Sequence, residues 1–205
     1  MALGDPYITL VELKAYLGIT GSANDTQLTD AAAVATRAVE QHCERQFNKT
    51  TSASARVFYP ETCRRAKVDD FHTTTGLVIA TDNGDDGTFE TTWTTTDYQL
   101  EPLNGMVDGE SGWPYYTIRT RSTGANLLPV TGSGAPLQVT AQWGWTAVPV
   151  GVKQATYYLA VDLFKLRETQ FGVMGTNEWG LVRVRDNPKA MALLAPYVRH
   201  PVLVG

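Results

Sequence analysis

Residues 139–175, VTAQWGWTAVPVGVKQATYYLAVDLFKLRETQFGVMG, constrain this chain more than any other stretch. The stretch opens with the apolar–polar alternation of a half-buried strand, turns at Trp143-Gly144-Trp145, and starts a helix at Pro149. A glycine-bounded loop follows the helix. No catalytic constellation accompanies this order of elements, which points to a protein that works through its surfaces.

Helical periodicity also marks the beginning of the chain. Thr9 and Glu12 have the spacing of a capping box, in which each side chain satisfies a free backbone N–H of the other. Leu10, Leu13 and Leu17 then share a face, and Gly18 suits the helix end. A second helix is expected from Asn24 or Asp25, either of which can cap it. Its stripe is Leu28, Ala32, Ala35, Val39, Cys43 and Phe47, with alanines thin enough to let another helix approach closely. The corresponding stripe after Pro149 is Val152, Ala155, Leu159, Leu163 and Leu166. None of these narrow faces stabilises a lone helix in water, so residues 9–47 and 149–166 are expected to pack together.

Between them the composition turns to Thr, Gly and aromatics with repeated turn signals. Strands are expected at 56–59, 76–81, 87–93, 98–101, 115–121 and 137–143. DNGDDG at 82–87 reads as a hairpin connection, and NGMVDGESG at 104–112 as a longer loop. The expected fold class is α+β, a small helical bundle of N- and C-terminal helices with an inserted β-barrel or sandwich-like domain. Its parts are 1–53, 54–147 and 148–205. Toward the end, a strand is expected at 181–185 and a short helix at 189–195 stopped by Pro196.

Composition narrows the function classes. The 205 residues are 43% hydrophobic and 19% charged with net charge −4, which lacks the basic footprint of a dedicated nucleic-acid binder. Two cysteines in separate segments, Cys43 and Cys63, are expected as reduced thiols. The first residues lack a basic, then apolar, signal-peptide pattern, and no apolar run approaches the roughly 18–20 residues of a membrane span. A soluble protein, intracellular when made, is the expectation.

Each candidate for chemistry has a simpler reading. Asp82, Asp85, Asp86 and Glu90 could chelate calcium, but their spacing does not fit an EF-hand, and a solvated hairpin turn is expected. His42, Cys43, Cys63 and His72 include zinc-type ligands without zinc-type spacing. Ser111 lies in GESGW rather than a nucleophile elbow, and the glycines at 132 and 134 open no helix. The basic run Cys63-Arg64-Arg65-Ala66-Lys67 reads as a nucleic-acid contact or a solvated edge. Trp143 and Trp145 read as a sugar-stacking platform or a core corner. No catalytic residue, cofactor or metal is expected.

TLVELKAYLGI at the start, the 139–175 stretch, and ALLAPYVRH near the end resemble the head–tail connector (adaptor) proteins of long-tailed bacteriophages. The matching stretches cover 8–47 and 138–200. That resemblance implies a structural neck protein of the virion, a dodecameric ring under the portal that extends the DNA channel and provides a platform for tail attachment. It implies the portal protein and further neck or tail proteins as partners, with genomic DNA passing through without sequence-specific binding and no membrane involved. The portal-contact residues would be Tyr197, Val198, Arg199, His200, Val202 and Leu203. Phe171, Met174 and Trp179, apolar residues on or beside the loop at 172–180, are the candidate subunit interface. Alternatives are a tail-completion or other neck protein binding the tail side, and a ligand- or carbohydrate-binding β module, for which Trp93, Trp113 and Trp143 would have to share an exposed face.

Overall fold

The computed structural model describes residues 4–124, 126–130, 132, 134–169 and 187–199. Within them the architecture is α+β, with four α-helices and an antiparallel main sheet that does not close. The chain divides into two compact units, one from Leu3–Asn48 and Ala147–Gly205, the other from Lys49–Thr146.

The first unit holds α1 (Leu10–Leu17), α2 (Asp25–Cys43), α3 (Val150–Thr169) and α4 (Pro188–Leu194). The capping box forms as spaced: the Glu12 N–H donates to Thr9 Oγ1 at 3.2 Å, and the Thr9 N–H donates to the Glu12 carboxylate at 2.8 Å. Gly18 ends α1 at φ 71°, where a side chain would strain the backbone. Asn24 precedes α2 without a side-chain capping bond, and Asp25 pairs instead with Lys14 at 2.7 Å. Leu28, Ala32, Ala35, Val39 and Cys43 are all buried, and burial pushes the Cys43 thiol up to about 12.

Glu44 adopts φ 52° and stops α2, so Phe47 reaches the core from the following loop rather than from the helical stripe. Small residues on α2 let α3 pack against it, with Val152, Ala155, Leu159 and Ala160 fully buried. Leu163 is only half-buried, and the side chain of Leu166 lies outside the described residues. Thr36 and Thr156 are polar residues on these apolar faces, and each hydroxyl donates to the carbonyl one turn back at 2.8 Å. Lys153 reaches Glu12 at 2.6 Å, and Tyr16 stacks on Tyr157 with centroids 4.8 Å apart.

The second unit is a six-stranded sheet plus a small hairpin. Its strands are β1 (Ser54–Phe58), β2 (Arg65–Thr81), β3 (Thr91–Thr92), β4 (Tyr98–Glu101), β7 (Tyr115–Thr120) and β8 (Leu137–Trp143). The order β1-β8-β2-β7-β4 is antiparallel throughout, with β3 paired to the end of β2. β1 and β4 are unjoined edges, which corrects the barrel alternative. β8 buries alternate residues, and Leu137, Val139, Ala141 and Trp143 enter a core with Phe71, Ile79, Ile118 and Leu128.

β2 is far longer than the strand expected at 76–81. Its register shifts between Lys67 and Phe71, Phe71 and Thr73, and Thr73 and Val78, so no single alternation runs through it. The loop expected at 104–112 contains its own hairpin, β5 (Met106–Val107) with β6 (Glu110–Ser111). The strand expected at 181–185 lies outside the described residues.

Candidate functional site

The end of the described chain is built from Asn187, whose side chain accepts the Ala190 N–H at 2.9 Å and donates to Asp162 at 2.7 Å. Pro188 occupies the first turn of α4, and Ala190 and Leu194 are its buried residues. Pro196 does not stop the chain's winding as expected. It falls inside a 3-10 turn, Ala195–Tyr197, where the missing N–H costs nothing.

That turn brings Tyr197 edge-on to Phe47, with centroids 5.9 Å apart. Gly151 lies beside it, where a Cβ would be in ordinary contact with the Tyr197 ring at 3.5 Å and the Leu193 carbonyl at 3.4 Å. The Arg199 N–H then donates to the Cys43 carbonyl at 3.0 Å, which satisfies a group at the exposed end of α2. Tyr197, Val198 and Arg199 are half-buried on the helical unit. His200, Val202 and Leu203 lie outside the described residues, as do Phe171, Met174 and Trp179.

The helical unit exposes apolar side chains that sequence reasoning did not single out. Val150 is 85% exposed and Val11 76%, with Val34 and Tyr16 also largely in solvent. The signal was available in the same periodicity, because these residues fall on the polar side of their stripes. In the β unit the three tryptophans named for a stacking platform are buried: Trp93, Trp113 and Trp143 are 5%, 7% and 1% exposed. Trp143 Nε1 donates to the Ser54 carbonyl at 2.9 Å, and Trp145 Nε1 donates to the buried Asp70 carboxylate at 2.9 Å. These rings close a core corner, and the carbohydrate-binding reading loses its support.

The acidic turn is organised by its own backbone. Asp82 is buried and accepts the N–H groups of Gly84 at 3.0 Å and Gly87 at 2.7 Å, while Glu90 accepts the Asn83 N–H at 3.1 Å. Asp85 faces elsewhere and accepts the Gly134 N–H at 2.9 Å. Among the described residues, Asp82, Asp86 and Glu90 are the one group of possible metal ligands close enough to share an ion. Cys43 is buried in the helical unit and Cys63 exposed in the β unit, both as free thiols. His72 lies on β2, where burial and then the Lys49 ammonium hold its imidazole below the ordinary range. Ser111 is exposed on β6.

No protein-family model matches the chain, and no curated protein matches it in sequence. Solved structures do share its fold. A chain from the neck of an empty gene transfer agent particle, computed with C6 symmetry, aligns over 97% of this chain and 93% of its own, with TM-score 0.56 and 18% identity. A chain from the neck of the native particle, computed with C12 symmetry, aligns over 100% and 99% with TM-score 0.51 and 18% identity. A chain from the virion of the native particle aligns over 97% and 93%, with TM-score 0.55 and 19% identity.

Proposed function

We propose that this chain is a structural, non-catalytic neck protein of a phage-like virion, a head-to-tail connector that forms a ring under the portal. The carrying observation is a fold shared with chains of gene transfer agent necks along nearly the whole length of both partners. The C12 and C6 symmetries of those necks favour a closed ring of identical subunits, the dodecamer first. The ring extends the DNA channel, lets genomic DNA pass without reading its sequence, and gives the next neck or tail protein a platform.

In this reading the helical unit is the connector body and the β unit an insertion between α2 and α3. A ring needs two different complementary patches on each subunit. Phe171, Met174 and Trp179 are assigned to one of them, and exposed Val11, Val34 and Val150 offer apolar surface for the other. Tyr197, Val198 and Arg199, anchored beside Phe47, lead into His200, Val202 and Leu203, and this run is assigned to the portal. Tyr and Arg are residue types that serve as interface anchors.

Particles made without this protein should accumulate as DNA-filled heads without tails. Supplying the full chain should restore tails, whereas a chain ending at residue 196 should fold and fail to restore them. Normally tailed particles in its absence would overturn the connector role. The protein's antigen found on free tails and not on tailless heads would favour the tail-side alternative.

A further inference from the structure

The β unit carries an arginine cluster that the connector reading leaves unused. Thr62, Arg64, Arg65, Glu101, Arg119 and Ser122 line an open cavity of about 480 Å³ together with Thr120. Its walls come from the start of β2, from β7 and from the end of β4. The pairing places Arg65 directly opposite Arg119, and Arg119 directly opposite Gln99. Like charges facing each other across a ladder destabilise a sheet, so the fold retains this pair against its own stability.

The compensation is thin. Arg65 has Glu61 at 3.7 Å, shared with Lys67 at 3.7 Å, and Arg119 has Glu101 at 3.5 Å. All three separations exceed an ordinary charge-assisted hydrogen bond. Arg64 makes no ion pair or side-chain hydrogen bond among the described residues, although its carbonyl is fixed by the Thr120 N–H at 3.0 Å. The lining holds three arginines and one glutamate, a local excess of positive charge in a chain of net charge −4.

We propose that this cavity binds phosphate groups of duplex DNA through Arg64, Arg65 and Arg119, without reading base sequence. Guanidinium forks match phosphate oxygens, and the lining hydroxyls of Thr62 and Ser122 add neutral donors. Among the described residues the lining has no aromatic or aliphatic side chain. A protein partner would want such an anchor, and single-stranded nucleic acid would want a stacking ring. Glu101 competes with the phosphate for Arg119 and keeps binding weak. The inference stands on the cavity and does not require the ring.

The test is fluorescence anisotropy of a labelled duplex of about 20 base pairs with the full chain, titrated across salt concentrations. Binding should weaken steeply with salt. Arg64→Gln with Arg119→Gln should weaken it about tenfold at low salt and reduce the log–log salt slope by roughly 2, close to one per phosphate contact. Glu101→Gln should tighten binding several-fold, a gain that no loss of folding produces. Unchanged affinity and slope in the double arginine variant, or no tightening in Glu101→Gln, would overturn the site. Polyglutamate of matched charge displacing the duplex as well as unlabelled DNA does would overturn the phosphate assignment in favour of an acidic protein.

Discussion

The helical unit and the β unit obey different kinds of rule. In α1, α2 and α3 the decisive residues lie three or four apart, and each helix carries its own start signal or stop signal. In the β unit the decisive partners are remote. Trp145 closes on Asp70, Trp143 on Ser54 and Thr50, and β2 switches register three times while serving β8, β7 and β3. Helices announce themselves locally because their period is local. A sheet's polar interior makes sense only when the partner from another strand is known.

The largest effect that would sharpen this contrast is at Trp143. The ring is 1% exposed, packs against Phe58 and Phe71, and lies under the Arg56 guanidinium at 4.6 Å. Trp143→Ala should cost about 3–5 kcal/mol in chemical denaturation, because it removes a large buried volume from the core. Leu159→Ala, on the fully buried stripe of α3, should cost about 2–5 kcal/mol. A near-neutral Leu159→Ala would break the helical half of the comparison, since the α2–α3 contact would then not be the core.

Tyr7→Phe comes next. The Tyr7 hydroxyl donates to Glu40 at 2.7 Å and accepts the buried Phe47 N–H at 2.9 Å. Removing it should cost about 1–3 kcal/mol by leaving that N–H unpaired. It is one of several non-local bonds in the helical unit, beside Lys153–Glu12 and Arg199–Cys43, so a cost near zero would make that unit more local than described. Thr9→Ala should cost about 0.5–2 kcal/mol through the lost cap of α1.

The smallest expected effect is with pH. The Glu12 carboxyl is held below its ordinary value of 4.5, first by the Lys153 ammonium and then by the Thr9 N–H. A depressed carboxylate stabilises the fold above its unfolded value and loses that contribution as pH falls through the folded value. Stability should therefore drop below about pH 4.5, and Lys153→Met should shrink the drop. An identical acid profile in Lys153→Met would remove the Glu12–Lys153 pair from the description.

Much of the helical half was legible for this reason. The stripe Leu28, Ala32, Ala35, Val39 and Cys43, the capping box and Gly18 follow from spacing alone. Phe47 was right as core and wrong as helix, because αL backbone at Glu44 breaks a pattern whose spacing still looked helical. Tyr7 went unnoticed because its partners, Thr36, Glu40 and Phe47, are remote in sequence. In the β half, strands β4 and β8 match their expected bounds, and β8 does so because its burial alternates without a break. Arg65–Thr75 were missed as strand because Asp69, Asp70, His72 and three threonines interrupt any alternation. The arginine cavity was half-visible as a basic run, but Arg119 joins it only through β2–β7 pairing.

The most direct measurement is electron microscopy of the purified protein added to portal rings. The connector reading predicts an extra layer of density on the portal with twelvefold or sixfold symmetry, and its loss when the chain ends at residue 196. Portal rings that remain bare at saturating protein, while the protein decorates free tails, would contradict a connector under the portal.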